Sequence, residues 1–163
     1  MPTSYAIAIG SNRRGRHGPP AAEVRAGVAA LGTLGRVVAV APMFDTAPLG
    51  PSSRRFANSA ALGETALDPP ALLAALKRIE RGFGRRRGQR WGERVIDLDI
   101  VLWSGGAWRA RDLTIPHAAF RERRFVLDPL VAIAPSWRDP RTGRSIRHLA
   151  ARARMVDRTP AHP

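Results

Sequence analysis

The segment 84–103 reads GRRRGQRWGERVIDLDIVLW, from Gly84 to Trp103. Its second half alternates with a period of two. Ile96, Leu98, Ile100 and Leu102 point one way, and Val95, Asp97, Asp99 and Val101 the other. This predicts a β-strand with one apolar face. Asp97 and Asp99 then share a face, roughly 6–7 Å apart along the strand at ~3.3 Å per residue. Two carboxylates at that separation raise each other's pKa unless a cation lies between them. Paired oxygen ligands on a rigid strand suit a hard ion such as Mg2+, which keeps positions for water and phosphate oxygens. The first half supplies Arg85, Arg86, Arg87, Arg90 and Arg94, spaced by Gly84, Gly88 and Gly92. Arginine gives bidentate phosphate contacts, and glycine lets the segment bend. A basic flap running into a metal-binding strand points to chemistry on a polyphosphate. Taken singly, each half has a plainer reading, as solvated aspartates and an exposed charged loop. Their adjacency favours the first reading.

The 163 residues suit a single domain spanning 1–163, with 44% hydrophobic content for a core. There is no cysteine, which removes disulfides, thiolate nucleophiles and cysteine-ligated metals, and is compatible with a reducing cytosol. The N-terminal residues lack a basic region followed by a long apolar run, and no apolar stretch approaches the ~20 residues of a membrane span. The expectation is a cytoplasmic protein without membrane contact. The formal charge of +14 comes from 27 basic against 13 acidic residues, and Lys77 is the sole lysine. Such a field attracts nucleic acids, anionic membranes or small polyanions such as nucleotides. An arginine-, alanine- and glycine-rich composition also follows from a GC-rich genome, so charge alone does not argue for nucleic acid.

Outward from the central strand, residues 4–10 form a first strand ending on Gly10-Ser11-Asn12. That tripeptide is a strand-ending turn or an approach of backbone amides to a ligand. Helical spacing of Val24, Val28 and Leu31 predicts a helix over 21–34, stopped by Gly35. A strand over 36–46 is interrupted by Pro42, and 47–55 is a loop. A strand over 56–65 places Phe56 and Asn58 on one face, an aromatic surface beside an amide. Those two residues also read simply as a core Phe and a turn-stabilising Asn. Asp68 caps a helix with Pro69 and Pro70 in its first turn, an apolar face of Leu72, Leu73, Leu76 and Ile79, and its end at Glu80. After Trp103, Ser104-Gly105-Gly106 turns the chain into a returning strand over 107–113. Breaks follow at Asp128-Pro129-Leu130 and Ala134-Pro135, then a last helix over 145–156 and a frayed tail. The order predicts an α+β protein: a ferredoxin-like βαββαβ antiparallel sheet with flanking helices and an added C-terminal hairpin and helix extension.

From Tyr5 to Leu149 the chain resembles the 6-hydroxymethyl-7,8-dihydropterin pyrophosphokinases of folate synthesis. The resemblance rests on Ala8-Ile9-Gly10-Ser11-Asn12, Thr46-Ala47-Pro48-Leu49-Gly50 and Phe56-Ala57-Asn58. It continues in Arg90-Trp91-Gly92-Glu93-Arg94-Val95-Ile96-Asp97-Leu98-Asp99-Ile100, Ile115-Pro116-His117 and Arg123-Arg124-Phe125-Val126-Leu127-Asp128-Pro129-Leu130.

The resemblance implies transfer of pyrophosphate from the co-substrate ATP to the pterin hydroxymethyl group, with release of AMP. Asp97 and Asp99 would hold two Mg2+ ions. The pterin would lie between Phe56 and Phe125, with Asn58 on its polar edge and the backbone of Thr46, Pro48 and Leu49 completing the pocket. Arg85 and Arg94 would contact phosphates, and Arg90 and Trp91 would close over the site. Arg123 and His117 would address the ATP phosphates. Lys77, Glu80, Ile100, Leu113 and Thr114 would hold base and ribose. The family also implies a monomer. The chain departs from its pattern in a flap one residue shorter than in some relatives, in Phe56 where tyrosine is common, and in Asp112 and Ala118. No general base stands out, so positioning and electrostatics would carry the rate. The contrasting class is an RNA-binding module of the same topology. It would need base-stacking aromatics in its two central strands, where Asp97 and Asp99 are expected instead.

Overall fold

The computed structural model describes residues 1–46, 56–84 and 94–158. Within them run β1 (Thr3–Ser11), α1 (Pro20–Leu31), β2 (Arg36–Val40), β3 (Phe44–Thr46), β4 (Phe56–Thr65), α2 (Pro69–Phe83) and β5 (Asp97–Trp103). A small hairpin of β6 (Trp108–Ala110) and β7 (Leu113–Ile115), a 3-10 turn (Phe120–Glu122), α3 (Arg124–Ile133) and α4 (Ile146–Arg158) follow. The main sheet is antiparallel in the order β2-β4-β1-β5, and β3 also pairs with β4.

Each sheet face buries its own core. On one, Tyr5, Ile7 and Ile9 of β1, Leu98 and Ile100 of β5, and Ile96 just ahead of it pack against Val24 and Leu31 of α1 and Leu72 and Leu76 of α2. On the other, Ala6, Ala8 and Ala60 lie beneath Val126, Leu127 and Leu130 of α3 and Leu149, Ala150 and Ala153 of α4. Alanines on that side let the helices sit close to the sheet. α2 starts as its sequence dictates: the Asp68 side chain accepts the Ala71 N–H at 3.0 Å, ahead of Pro69 and Pro70.

The structure corrects several expectations. α1 stops at Leu31, because 32–34 tighten into i→i−3 bonds (Gly32 N–H to Ala29 O, Thr33 N–H to Ala30 O, Leu34 N–H to Leu31 O). α2 runs past Glu80 to Phe83. The chain after Trp103 does not return along β5; β6 pairs with β7 instead. α3 continues through Pro129, because burial of Val126, Leu127 and Leu130 outweighs the one backbone bond proline removes.

The alternation in β5 also fails at its end. Ile7 pairs with Ile100 but Ala6 pairs with Leu102, so Val101 is an extra residue on β5. That bulge turns Leu102 onto the α3/α4 face, away from Ile100. Finally, β5 is an edge strand among the described residues. The two central strands are β4 and β1, so Asp97 and Asp99 do not occupy the central positions on which the contrast with an RNA-binding module rested.

Candidate active site

Strand register assembles the site. Gly10 on β1 lies opposite Asn58 on β4 and Asp97 on β5, and Asn58 lies opposite Phe44 on β3. One row across four strands therefore reads Phe44, Asn58, Gly10, Asp97. Asp99 is in the next row, opposite Ala8. With strands ~4.8 Å apart, Asn58 and Asp97 are about 10 Å apart across Gly10.

Above this row opens a cleft of about 730 Å³, the size of a small-molecule site. β1 contributes its floor through Ala8 to Ser11, with Asn12 beyond; β4 gives Phe56 and Asn58; β5 gives Asp97 and Asp99. The wall is α3 and the residue before it, with Arg123, Arg124, Phe125 and Asp128, joined by Glu122 and by Asp157 of α4. Phe56 is 44% exposed and Phe125 49%. Large aromatics left open to solvent and facing one cleft offer two stacking faces for a flat heterocycle. The Arg123 guanidinium sits 5.6 Å from the centre of the Phe125 ring.

Gly10 keeps the floor open. A Cβ there would stand 2.9 Å from Asn58 Oδ1, so any side chain at 10 pushes Asn58 out of the row. Gly10→Ala is expected to weaken binding of a ligand that uses the Asn58 amide by about tenfold, the ~1.4 kcal/mol of one hydrogen bond. Calorimetry on the folded variant checks this, and unchanged affinity would remove Asn58 from the site.

Asp97 and Asp99 are exposed on the cleft side, while Leu98 between them is buried below. Burial of its surroundings, then the charges of Glu80 and Asp99, push the Asp97 pKa up; Arg94 and Lys77 oppose that. Among the described residues no third His, Cys, Asp or Glu completes a metal-binding group. Two carboxylates that repel each other, with room for water and phosphate oxygens, match the donor set of Mg2+.

A second group lies along the free edge of β5 and on its α1/α2 side. Glu80, 2% exposed, accepts the Leu98 N–H at 3.0 Å and an Arg94 hydrogen bond, with Lys77 Nζ 3.6 Å away. The Glu80 bond holds the Arg94 guanidinium firmly protonated. The His117 N–H donates to Val101 O at 3.1 Å, and His117 Nδ1 accepts from the Ala119 N–H, which leaves Nε2–H as the donor of the neutral ring. Ile100 is buried in the α1/α2 core, and Leu113 packs against it. Thr114 is exposed on β7, opposite Arg109.

The cleft thus gathers Phe56, Asn58, Asp97, Asp99, Arg123 and Phe125 from the expected set, and the edge of β5 gathers Lys77, Glu80, Arg94 and His117. Pro48, Leu49, Arg85, Arg90 and Trp91 lie outside the described residues, as does the side chain of Thr46. Sequence reasoning missed Phe44, Glu122, Arg124, Asp128 and Asp157. The i, i+4 spacing of Arg124 and Asp128 was a visible signal; nothing local brings Asp157 to the same place.

Comparison with known proteins agrees with this arrangement. Residues 6–135 match the model of the 7,8-dihydro-6-hydroxymethylpterin-pyrophosphokinase (HPPK) family. The chain is 40% identical over 148 residues to the 2-amino-4-hydroxy-6-hydroxymethyldihydropteridine pyrophosphokinase of Pseudomonas aeruginosa, covering 89% of this chain and 88% of the relative. It is 39% identical over 137 residues to the Haemophilus influenzae protein of that name, covering 82% of each. A 42% match to the Synechocystis protein spans 60% of this chain and half of the relative. In fold it is similar to a triple mutant of Plasmodium falciparum HPPK-DHPS crystallised with SDX-DHP, at TM-score 0.73 and 13% identity, over 93% of this chain and 44% of that one. The chain belongs to the 7,8-dihydro-6-hydroxymethylpterin-pyrophosphokinase family.

Proposed function

We infer that this chain carries out the reaction its family is named for: transfer of pyrophosphate from ATP to the hydroxymethyl group of 6-hydroxymethyl-7,8-dihydropterin, in folate synthesis. The observation that carries the reading is the row Asn58–Gly10–Asp97 beneath two exposed phenylalanines. It sets an aromatic slot and an amide about 10 Å from a carboxylate pair. The pterin stacks between Phe56 and Phe125, and Asn58 bonds its polar edge. The hydroxymethyl group then extends toward Asp97 and Asp99. These two residues would hold two Mg2+ ions, which supply charge neutralisation and alignment of the polyphosphate when bound.

The hydroxymethyl oxygen bonds to the β-phosphorus as the bond from that phosphorus to the α,β-bridging oxygen breaks. AMP leaves with the bridging oxygen, and the hydroxyl proton passes to solvent water. Positive groups placed beforehand stabilise the charge that spreads over the transferring phosphoryl oxygens. Arg94 and Arg123 do this from two sides, His117 contributes its Nε2–H, and Arg85 and Arg90 act from the flap. Trp91 closes over the pterin and excludes water as a competing nucleophile. The backbone of Thr46, Pro48 and Leu49 completes the pterin pocket. Lys77, Leu113, Thr114 and the edge backbone of Ile100, whose side chain is buried, receive the base and ribose. The ferredoxin-like reading of the sheet is supported by the order β2-β4-β1-β5, and the C-terminal extension by α3 and α4 on the second face. No helix among the described residues is long and apolar enough to cross a membrane; we take the protein to act in the cytoplasm, as a monomer, without nucleic acid.

The test is AMP formation from ATP and Mg2+ with and without the pterin, with an EDTA control. Pterin- and Mg2+-dependent AMP is the expected result; ADP would keep a kinase and sink pyrophosphoryl transfer. Phe125→Ala is expected to raise the pterin KM by roughly 10-fold, through loss of ~1–2 kcal/mol of stacking and burial, with the ATP KM little changed. An unchanged pterin KM would remove Phe125 from the slot.

A further inference from the structure

The carboxylate of Glu80 is engaged in a way that bears on its role. Among the described residues β5 is an edge strand, so its outward amides have no strand partner there. The amide between the two aspartates, Leu98 N–H, is capped by Glu80 Oε1 at 3.0 Å. Glu80 Oε2 takes Arg94 Nη1 and faces Lys77 Nζ at 3.6 Å. The side chain is 2% exposed, against 37% for Arg94 and 41% for Lys77. Both oxygens are used and buried, so neither is presented to a ribose hydroxyl. One carboxylate instead ties together the peptide that spaces Asp97 from Asp99, the arginine beside them and the last turns of α2.

We propose that Glu80 is a positioning residue of the phosphate site: through the Leu98 amide it fixes the spacing of Asp97 and Asp99, and through Oε2 it aims Arg94, rather than binding the nucleotide itself. This rests on the pyrophosphoryl-transfer reading and assigns Glu80 a different part in it from ribose binding. The geometry separates the two contacts. In Glu80→Gln the amide oxygen still accepts the Leu98 N–H, but its NH2 group now faces Arg94, another donor, and releases it. Glu80→Ala loses both contacts.

Two measurements test the proposal. The first needs no turnover: amide hydrogen exchange of Leu98 in the metal-free protein. Protection is expected to persist in Glu80→Gln and to fall in Glu80→Ala; equal protection in all three proteins would overturn the strand-spacing half. The second compares kcat with the affinity for a nonhydrolysable ATP analogue. Glu80→Gln is expected to lower kcat by roughly 10–100-fold, the usual effect of losing a residue that orients a ligand-bearing group. Its analogue Kd should stay within about twofold. Glu80→Ala should in addition raise the Mg2+ concentration for half-maximal rate by about tenfold. A weakened analogue Kd with kcat preserved would make Glu80 a nucleotide contact and overturn the proposal. If the parent protein forms no AMP, the failure lies with pyrophosphoryl transfer, and the Leu98 exchange result still stands or falls by itself. Should Glu80→Ala fail to fold, Glu80→Gln alone decides the kcat-against-Kd split.

Discussion

Asp97→Ala and Asp99→Ala are each expected to lower pterin-dependent AMP formation by on the order of 10³-fold or more, the several kcal/mol that metal-assisted charge stabilisation supplies. The fold should survive, because both side chains are exposed at the cleft and the core residues beneath them, Leu98 and Ile100, are untouched. Stability should move the other way. The Asp97 pKa is raised by the partial desolvation of its carboxylate against the cleft floor, then by the charges of Glu80 and Asp99. A carboxylate whose folded pKa lies above its unfolded value of 3.8 binds its proton more tightly when folded. Its charge therefore opposes folding above the folded pKa, and that opposition disappears as pH falls below the unfolded one. Asp97→Asn in metal-free buffer at pH 7 should melt at the same temperature as the parent or slightly above it, by well under 1 kcal/mol given solvent screening. Added Mg2+ with nucleotide should stabilise the parent and not the variant. A variant that keeps even a tenth of parental turnover would remove Asp97 from the metal site. One that loses both activity and its folding transition would make Asp97 a structural residue.

What the sequence disclosed depended on the range of the interaction. Local rules worked where they act alone. Asp68 with two following prolines marked the start of α2, and small residues with a leading Phe marked β4 at its observed bounds. The carboxylate pair survived because residues 97 and 99 precede the bulge; Leu102, after it, changed face. A bulge is a disagreement between two strands, so no period within one strand reveals it. The edge position of β5 depends likewise on pairing. Without it, nothing indicates that the Leu98 amide needs a partner, so the bond it donates to Glu80 is not legible in the sequence. Gly10 was visible as a turn residue, but its role beside Asn58 exists only in the β1–β4 register. Asp157 reaches the cleft from α4, bound to Arg124 at 3.2 Å across 33 residues of chain, a distance no motif spans.

Asp139→Ala is expected to lower the melting temperature by about 6–12 °C, although residue 139 is not among those lining the cleft. Asp139 is fully buried and its carboxylate accepts four hydrogen bonds: Arg121 Nε at 2.6 Å, Arg121 Nη2 at 2.8 Å, Thr142 Oγ1 at 2.8 Å and the Arg141 N–H at 3.0 Å. Burial alone would raise its pKa; the hydrogen bonds from Arg121, Thr142 and the Arg141 amide outweigh that and hold it at about 2. Against an unfolded value of 3.8, the shift corresponds to about 2 kcal/mol near neutral pH. Leaving the half-buried Arg121 without its partner brings the total to roughly 3 kcal/mol, or ~2–4 °C per kcal/mol for a chain of this size. A carboxylate with a depressed folded pKa stabilises fully above its unfolded value and loses that contribution as pH falls toward 2. The gap between parent and variant should therefore be widest near pH 7 and narrow between pH 4 and pH 2. The effect should also reach the site. Arg121 lies in the 3-10 turn 120–122, and the Arg123 N–H is bonded to Phe120 O within that turn. Freeing the turn loosens the backbone that carries Arg123 and, two residues on, Phe125. The pterin KM should rise modestly in Asp139→Ala at temperatures where it is fully folded. A melting shift under about 2 °C, or one of equal size at pH 7 and pH 2.5, would show that the Arg121–Asp139 pair does not anchor this wall of the cleft.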